Sequence, residues 1–329
     1  MSRHVAIVPG GAEALDESRR PTPGPIAVLP EPDPFFTAAV AAAGGSVEPL
    51  SHGTRGVIWL SNPRARELAG VLDTHPGIEW VQLPWAGIDA FAGMMSDHRD
   101  RKLLWTSAKG SFAQPVAEHA LTLTLALLRV LPKRARATSW NPTEEGRSLY
   151  GRTVVIIGAG GIAHELLRLL EPFGVESIVV RRRPDPVPGA TRTVPTEQLR
   201  EVLPQADVVV VAAALTAETR QLLGAAELAL MTPTAVLVNV GRGALIDTDA
   251  LVDALAAGRL AGAALDVTDP EPLPASHPLW REPRCLITPH MADTPEMTAP
   301  LLGRRIEENV RAFLGDGCFV GVVDPALGY

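Results

Sequence analysis

Segments that are apolar at nearly every position recur through the second half of the chain, and they constrain its fold more than any other feature. They are RTVVIIG (152–158), SIVV (177–180), DVVVVAAAL (207–215), AVLVNV (235–240), GAALDV (262–267) and CLIT (285–288). A strand with one face in water alternates apolar and polar residues, whereas a strand that is covered on both faces is apolar throughout. Because helical stretches separate these segments, we expect an α/β fold with a parallel sheet.

A second series of β-rich segments occupies the first third of the chain. It comprises PIAVLP (25–30), SVEPL (46–50), GVIWL (56–60), IEWVQL (78–83) and KLLWTS (102–107), with HVAIVP (4–9) as a candidate extra strand. Between the first two lies FFTAAVAAAGG, which predicts a helix that ends at a glycine pair able to adopt the left-handed conformation.

Two long helices bracket the apolar strands. Residues 115–131 are apolar nearly all round, which is typical of a buried helix, and residues 296–314 repeat apolar residues about once per turn. A chain of 329 residues suggests two domains. We therefore expect one domain at residues 112–290, inserted into a smaller domain formed by residues 1–111 and 291–329.

The charge and the cysteine content argue against several classes of protein. The formal net charge is −7, so a nucleic-acid or membrane-surface partner is not expected. Two cysteines, Cys285 and Cys318, are too few for a disulfide framework or a thiolate metal site. Residues 115–131 are short for a bilayer span, and no charged-then-apolar leader is evident, so we expect a cytoplasmic protein.

The segment VVIIGAGGIAHELLRLL has the order strand, glycine turn, helix. Gly158, Gly160 and Ala163 fill the pattern G-x-G-x-x-G/A, in which the glycines allow a tight turn and a close approach to a pyrophosphate. The amides at the start of the helix then face the phosphates. A purely structural turn is the alternative, but the flanking strand and amphipathic helix favour dinucleotide binding.

Arginines follow the next strand, where a site for NAD would usually carry an acidic residue. Arg181, Arg182 and Arg183 stand there instead. A guanidinium group can bind a 2′-phosphate with charge-assisted hydrogen bonds, whereas a carboxylate would repel it. We therefore predict that NADP(H) is the preferred cofactor and that NAD(H) is possible, with a solvated basic turn as the alternative.

Three polar residues, Arg242, Glu271 and His290, follow the ends of predicted strands in the inserted domain. Ligands of open α/β sheets bind at the carboxyl ends of the strands. Each residue alone has an ordinary explanation, as a solvated arginine, a surface glutamate or a core histidine.

Together, these side chains suit hydride transfer to a 2-oxo acid. Such a transfer builds negative charge on the carbonyl oxygen, which an acid and a cation stabilise. Imidazole ionises near neutral pH, a neighbouring carboxylate favours imidazolium, and a guanidinium can bind the substrate carboxylate. Of the eight histidines, His290 alone has this setting, since His119 and His164 lie in predicted helices and the rest in loops or near the N-terminus.

The order of these motifs resembles the D-isomer-specific 2-hydroxyacid dehydrogenases. The resemblance rests on GAGGIA, NVGRGALID, ALDVTDPEPLP, SHPLW and LITPHMA, and it extends to LPWAGIDAF (83–91) and PVAEHAL (115–121). It implies a Rossmann cofactor domain inserted into a flavodoxin-like substrate domain, a small 2-oxo or D-2-hydroxy acid as substrate, and a homodimer. Because arginines stand where an NAD site has its ribose-binding acidic residue, the chain resembles the NADPH-dependent glyoxylate and hydroxypyruvate reductases in particular.

The resemblance also implies roles for individual residues. Arg242 would bind substrate, Glu271 would orient and charge His290, and Ala86 and Gly87 would offer backbone amides to the substrate carboxylate. The residues implied to contact cofactor are Gly158, Gly160, Gly161, Ile162, Arg181, Arg182, Arg183, Thr219, Val240, Asp266 and His290. Among them, Asp266 and the backbone of Val240 would meet the nicotinamide carboxamide. Trp85 is expected to serve packing.

Two alternative functions stay open. A non-catalytic, dinucleotide-sensing protein of the corepressor type can share this fold. A phosphoglycerate dehydrogenase-like enzyme would need further cations near its substrate, for which Lys109 and Arg55 are available.

Overall fold

A computed structural model describes residues 4–9 and 11–325, and the chain divides into two compact units. The first unit contains the described residues up to Phe112 together with those from Pro295 onward, and the second runs from Ala113 to Thr294. Each unit has its own parallel sheet.

The strands are short, and several of them are buried at every position. In chain order they are β1 Glu13–Ala14, β2 Ile26–Leu29, β3 Gly56–Trp59, β4 Trp80–Gln82, β5 Leu104–Thr106, β6 Thr153–Ile157, β7 Glu176–Arg181, β8 Arg192–Pro195, β9 Val208–Val211, β10 Val236–Asn239, β11 Gly262–Leu265, β12 Cys285–Ile287 and β13 Cys318–Phe319.

The helices vary more in length. They are α1 Pro34–Ala42, α2 Ala65–Thr74, α3 Ala92–Asp97, α4 Ala113–Leu128, α5 Leu131–Ala135, α6 Gly161–Leu170, α7 Leu199–Val202, α8 Ala225–Leu228, α9 Thr248–Ala256 and α10 Pro295–Leu314. Short 3-10 turns lie at Glu17–Arg19, Glu171–Phe173, Thr196–Gln198, Leu203–Gln205, Gly243–Leu245 and Pro278–Trp280. No helix in the described ranges is long and apolar enough to cross a membrane.

The first unit is built on a four-stranded sheet in the order β2-β3-β4-β5, with every pair parallel. Helix α1 packs against α10, and the ring of Trp80 in β4 lies 4.9 Å from that of Phe313 in α10. Strands β1 and β13 form a separate antiparallel pair. Helix α10 thus belongs to the same core as the early strands, although residues 113–294 separate them in sequence.

The second unit is built on a seven-stranded parallel sheet in the order β12-β11-β10-β9-β6-β7-β8. The four valines of β9 are at most 1% exposed, as expected for a strand that is covered on both faces. The order of the strands reverses between β6 and β9, which pair with each other. In such a sheet, ligands bind beyond the carboxyl ends of the strands at this reversal. The predicted α/β fold with parallel sheets is confirmed.

Several predictions of local structure were wrong. Residues 46–50 form no strand, because only Val47 pairs, through an isolated bridge to Ile26, and Pro49 lacks a backbone N–H. Residues 4–9 also form no strand, and the amide of Ile7 donates instead to Gly110 O. Strand β8 was missed because it lies at the sheet edge and only Val194 is buried.

The predicted helices occur, with shifted ends. The helix expected at 115–131 ends at Leu128, and Val130 adopts a left-handed φ of 54° before α5 begins. Helix α1 ends as expected, because Gly44 directly after its C-cap has φ 87°.

Candidate active site of the second unit

The glycine turn joins β6 to α6 at the reversal of the strand order. Gly158 has φ 111°, and a Cβ atom at this position would lie 2.6 Å from the carbonyl oxygen of Ala212. Only glycine therefore fits, because both the φ angle and the adjacent backbone exclude a side chain. Gly160 differs, since a Cβ atom there would have no neighbour within 4 Å. The fold itself does not require glycine at position 160, whereas a close ligand would.

The backbone amides at the start of helix α6 donate to no capping side chain among the described residues. Its N-cap is Gly160, which provides no side chain to accept hydrogen bonds from them. Gly161 is the first helical residue and Ile162, half-buried, the second. Ala163 is fully buried, so the small residue lets the helix pack closely. Backbone amides and the helix dipole make this end suitable for the pyrophosphate of a dinucleotide.

Arginines lie at the carboxyl end of β7. Arg181 is the last residue of the strand, half-buried, with Nη1 3.3 Å from the carbonyl oxygen of Asp185. Arg182 and Arg183 follow and are exposed. An arginine therefore stands where the ribose-binding acid of an NAD site would be.

The loop after β9 is held in shape by Thr219. Its hydroxyl donates to Ala214 O at 2.8 Å and accepts from the amide of Thr216 at 2.7 Å. The loop starts beside the glycine turn, because Ala212 and Ala213 are the residues that crowd Gly158. Thr219 thus stabilises the loop that lies beside the glycine turn.

Arg242 follows β10 in a turn that a buried asparagine shapes. Val240 lies at the end of this strand and donates its amide to Val211 O. Asn239 is 1% exposed; its side-chain NH₂ donates to Arg242 O at 2.9 Å, and its side-chain oxygen accepts from the amide of Gly241 at 3.0 Å. The half-buried Arg242 places Nη1 2.8 Å from Gly241 O.

Asn239 was missed in the sequence, although it is the one amide side chain in an otherwise apolar segment. Gly243, after Arg242, has no room for a side chain, because a Cβ atom would overlap the backbone of Thr268. The Arg242 turn therefore lies directly against the loop that leads to Glu271.

His290 and Glu271 form the closest ion pair of the site. Nδ1 of His290 lies 2.6 Å from Oε1 of Glu271, and the side chains are 52% and 42% exposed. The other carboxylate oxygen of Glu271 accepts from the amide of Thr268 at 3.4 Å. Since Nδ1 is engaged by the carboxylate, Nε2 is the nitrogen that can exchange a proton with a substrate. His290 has φ 53°, an uncommon left-handed conformation for a side chain of this size.

Asp266 organises the backbone around His290. Its Oδ1 accepts from Thr288 Oγ1 at 2.6 Å and from the amide of Met291 at 2.9 Å, and its Oδ2 accepts from the amide of Ala292 at 3.2 Å. Burial of Asp266 disfavours its charged form, but hydrogen bonds from His119, Thr288 and Met291 outweigh that cost and lower the pKa of Asp266.

Two further titratable residues were missed in the sequence. His119 on α4 places Nε2 3.4 Å from Oδ1 of Asp266, a contact that its position within a predicted helix does not indicate. Burial raises the pKa of Asp293 to about 6, with Asp266 adding to the rise and His290 opposing it. The sequence feature that could have identified Asp293 is its position, three residues after His290.

The remaining predicted site residues lie in the first unit. The exposed Ala86 and half-buried Gly87 follow β4 in an irregular loop. Trp85, 37% exposed, packs its ring 5.5 Å from that of Phe112. Nη1 of Arg55 donates a hydrogen bond to Gly77 O at 2.9 Å, so this arginine helps to hold the backbone of the first unit. No cluster of metal-ligating side chains occurs among the described residues of either unit.

A family model and several known proteins match this chain. The family model described as "D-isomer specific 2-hydroxyacid dehydrogenase, NAD binding domain" matches residues 121–292. The chain is 43% identical over 264 residues to an uncharacterized protein of Corynebacterium melassecola, covering 78% of this chain and 86% of that one. It is 37% identical over 206 residues to the human glyoxylate reductase/hydroxypyruvate reductase, covering 60% of this chain and 63% of the human one.

A solved structure is similar over nearly the whole chain. It is the D-isomer specific 2-hydroxyacid dehydrogenase of Xanthobacter autotrophicus Py2 in complex with NADPH and MES. The TM-score is 0.78 at 27% identity, and the match covers 94% of this chain and 100% of the other.

Proposed function

This chain belongs to the D-isomer specific 2-hydroxyacid dehydrogenase family, and we propose that it reduces a small 2-oxo acid, such as glyoxylate or hydroxypyruvate, to the D-2-hydroxy acid with NADPH. It is an oxidoreductase, and residues 121–292 match the NAD binding domain of that family. The observation that carries the proposal is the contact of 2.6 Å between His290 Nδ1 and Glu271 Oε1 at the carboxyl ends of the sheet.

His290 is the proton donor in this proposal. When bound, the nicotinamide supplies the hydride that reduces the substrate carbonyl. Nε2 of His290 gives a proton to the carbonyl oxygen as negative charge develops there, and it takes the proton back in the reverse direction. Glu271 stabilises imidazolium and fixes the proton on Nδ1, because it accepts a hydrogen bond from that nitrogen.

Arg242 binds the substrate and polarises it. Its guanidinium is half-buried, on a turn that Asn239 holds in place. A guanidinium can pair with the carboxylate of a 2-oxo acid and also favour charge on the adjacent carbonyl oxygen. In the first unit, the amides of Ala86 and Gly87 are proposed as further carboxylate donors.

The cofactor site fits NADP(H) better than NAD(H). The turn at Gly158–Gly161 would bind the pyrophosphate, and the arginines after β7 would bind the 2′-phosphate. Val240 and Asp266 would meet the nicotinamide carboxamide, since Oδ2 of Asp266 accepts a single hydrogen bond at 3.2 Å in the described structure and a carboxylate oxygen can accept another.

We also propose a homodimer in the cytoplasm, with residues 112–290 as the cofactor domain and the rest of the chain as the substrate domain. Both cysteines are free thiols, which suits a reducing compartment. We propose neither a nucleic-acid nor a membrane partner, because the net charge is −7 and acidic side chains exceed basic ones.

A screen of NADPH oxidation tests the function. Glyoxylate, hydroxypyruvate, pyruvate and bulkier 2-oxo acids are each offered with NADPH and with NADH, and the hydroxy acid is analysed for chirality. We expect turnover of at least one small acid to the D product, with a higher kcat/KM for NADPH. NADPH binding without turnover of any acid would contradict the proposal and favour a nucleotide-sensing role.

Arginine variants test the choice of cofactor. Replacing Arg181, Arg182 and Arg183 by serine should lower kcat/KM for NADPH by about ten- to a hundredfold, as expected when charged hydrogen bonds to a phosphate are lost, and leave NADH unchanged. Arg192→Ser is the matched control, because this arginine on β8 is exposed and its Nη1 lies 3.3 Å from Oε1 of Gln205. Equal losses with both cofactors would refute the assignment.

A further inference from the structure

A second histidine reaches the strand end that carries His290. His119 lies on α4, and its side chain is 20% exposed. Its Nε2 is 3.0 Å from Thr288 Oγ1 and 3.4 Å from Asp266 Oδ1. These contacts join α4 to the carboxyl ends of β11 and β12, where Asp266 and Thr288 stand.

The directions of the hydrogen bonds define a chain. The hydroxyl of Thr288 donates its proton to Asp266 Oδ1 at 2.6 Å. Its oxygen can then only accept from His119, so Nε2 of His119 is the donor. His119 therefore orients the Thr288 hydroxyl toward the carboxylate of Asp266.

Asp266 in turn secures both sides of His290. Its carbonyl oxygen accepts from the amide of His290 at 2.7 Å, while its carboxylate accepts from the amides of Met291 and Ala292. His290 has a φ of 53°, and such conformations persist where the surroundings over-determine them. The backbone at His290 sets the direction of the ring toward Glu271.

We propose that His119 is a positioning residue for proton transfer at His290, acting through Thr288 and Asp266. The kinetic part of this inference rests on the proposed reduction of a 2-oxo acid. The structural part, that His119 keeps the turn at 290–292 ordered, stands independently of it.

Substitutions at position 119 separate the hydrogen bond from the bulk of the side chain. His119→Leu removes the donor, and we expect kcat to fall about three- to tenfold, as for one hydrogen bond, with KM for NADPH unchanged. His119→Gln places an amide N–H near the position of Nε2 and should restore most of the rate. Thr122→Ala is the control, because Thr122 is exposed on the same helix and bonds to Glu118 O.

A double-mutant cycle tests whether the effect passes through His290. In the His290→Ala background, His119→Leu should cause no further loss, because the group that it positions is gone. An equal loss in both backgrounds would overturn the proposal.

Amide exchange gives a readout that needs no activity. The amides of Met291 and Ala292 should exchange faster in His119→Leu and in Thr288→Val than in the wild type and in His119→Gln, while the amides of β9 serve as an internal reference. Unchanged exchange at Met291 and Ala292 would overturn the proposal even if the enzyme reduced no 2-oxo acid. Faster exchange at Met291 and Ala292, with no turnover by the wild type or any variant, would support the proposal for His119. That result would contradict only the proposed reduction of a 2-oxo acid.

Discussion

The same substitution two residues apart in the glycine turn should give opposite results. In Gly158→Ala, the new Cβ would lie 2.6 Å from Ala212 O and 2.8 Å from Ala213 N, on a residue with φ 111°. Strain at such a φ costs about 1–3 kcal/mol, and overlap with a packed backbone costs a similar amount. We therefore expect the free energy of unfolding to fall by about 2–6 kcal/mol.

Gly160→Ala should leave the fold intact and weaken the cofactor complex. Gly160 has φ −82° and ψ −171°, which alanine adopts readily, and a Cβ there would meet no atom within 4 Å. The free energy of unfolding should change by less than about 1 kcal/mol. A methyl group at the pyrophosphate should raise the Kd for NADPH about tenfold or more, given a steric cost of about 1–3 kcal/mol.

Urea unfolding and fluorescence titration with NADPH measure the two effects on the same samples. Unfolding is followed without cofactor, so that binding cannot mask a loss of stability. A Gly160→Ala protein with unchanged Kd for NADPH would refute the placement of the pyrophosphate. A Gly158→Ala protein as stable as the wild type would refute the steric reasoning.

Three further predictions follow from the site and its surroundings. Glu271→Gln should lower kcat about a hundredfold without changing the Kd for NADPH, because the imidazolium of His290 loses its charged partner. A fall in kcat of less than twofold would contradict a catalytic role for the contact between Glu271 and His290. Burial raises the pKa of Asp293 to about 6. Between about pH 4 and 6, the folded state therefore binds more protons than the unfolded state. The contribution of this group to the free energy of unfolding accordingly falls as pH rises through that range. Asp293→Asn should therefore match the wild type at pH 4 in urea unfolding and exceed it at pH 7.5, and an equal difference at both pH values would exclude this cause. Burial also raises the pKa of the Cys285 thiol to about 12. A thiol reagent should therefore label Cys318 in the native protein and Cys285 only after unfolding, as followed by peptide mass spectrometry. Equal labelling rates of the two cysteines in the native protein would contradict this prediction.

The buried strands were the most predictable part of the fold. Segments such as 207–215 are apolar at consecutive positions, and both faces of β9 are covered. Edge strands were not predictable in this way, because β8 buries only Val194 and its other positions are polar or partly exposed. The pairing of β1 with β13 joins the two ends of the described chain, and no local pattern signals such a contact.

The site was predictable where a residue lies in the loop that follows a strand. His290 and Glu271 were expected near each other because parallel strands end at one edge, and the structure places them 2.6 Å apart. His119 was missed because helical periodicity does not tell which strand end a helix residue will meet. Asp266 was expected only at the cofactor, whereas its carboxylate already binds Thr288 and two backbone amides. The roles of these residues in catalysis stay predictions.

The most direct test of the central claim is the single-turnover rate of NADPH oxidation by His290→Ala at a saturating concentration of the 2-oxo acid. His52→Ala is the matched control, because His52 is exposed in a loop of the first unit. If His290 supplies the proton, the rate should fall about 10²- to 10⁴-fold while the Kd for NADPH stays close to that of the wild type. A variant that retains its rate within a few fold would contradict the claim that this imidazole is the acid.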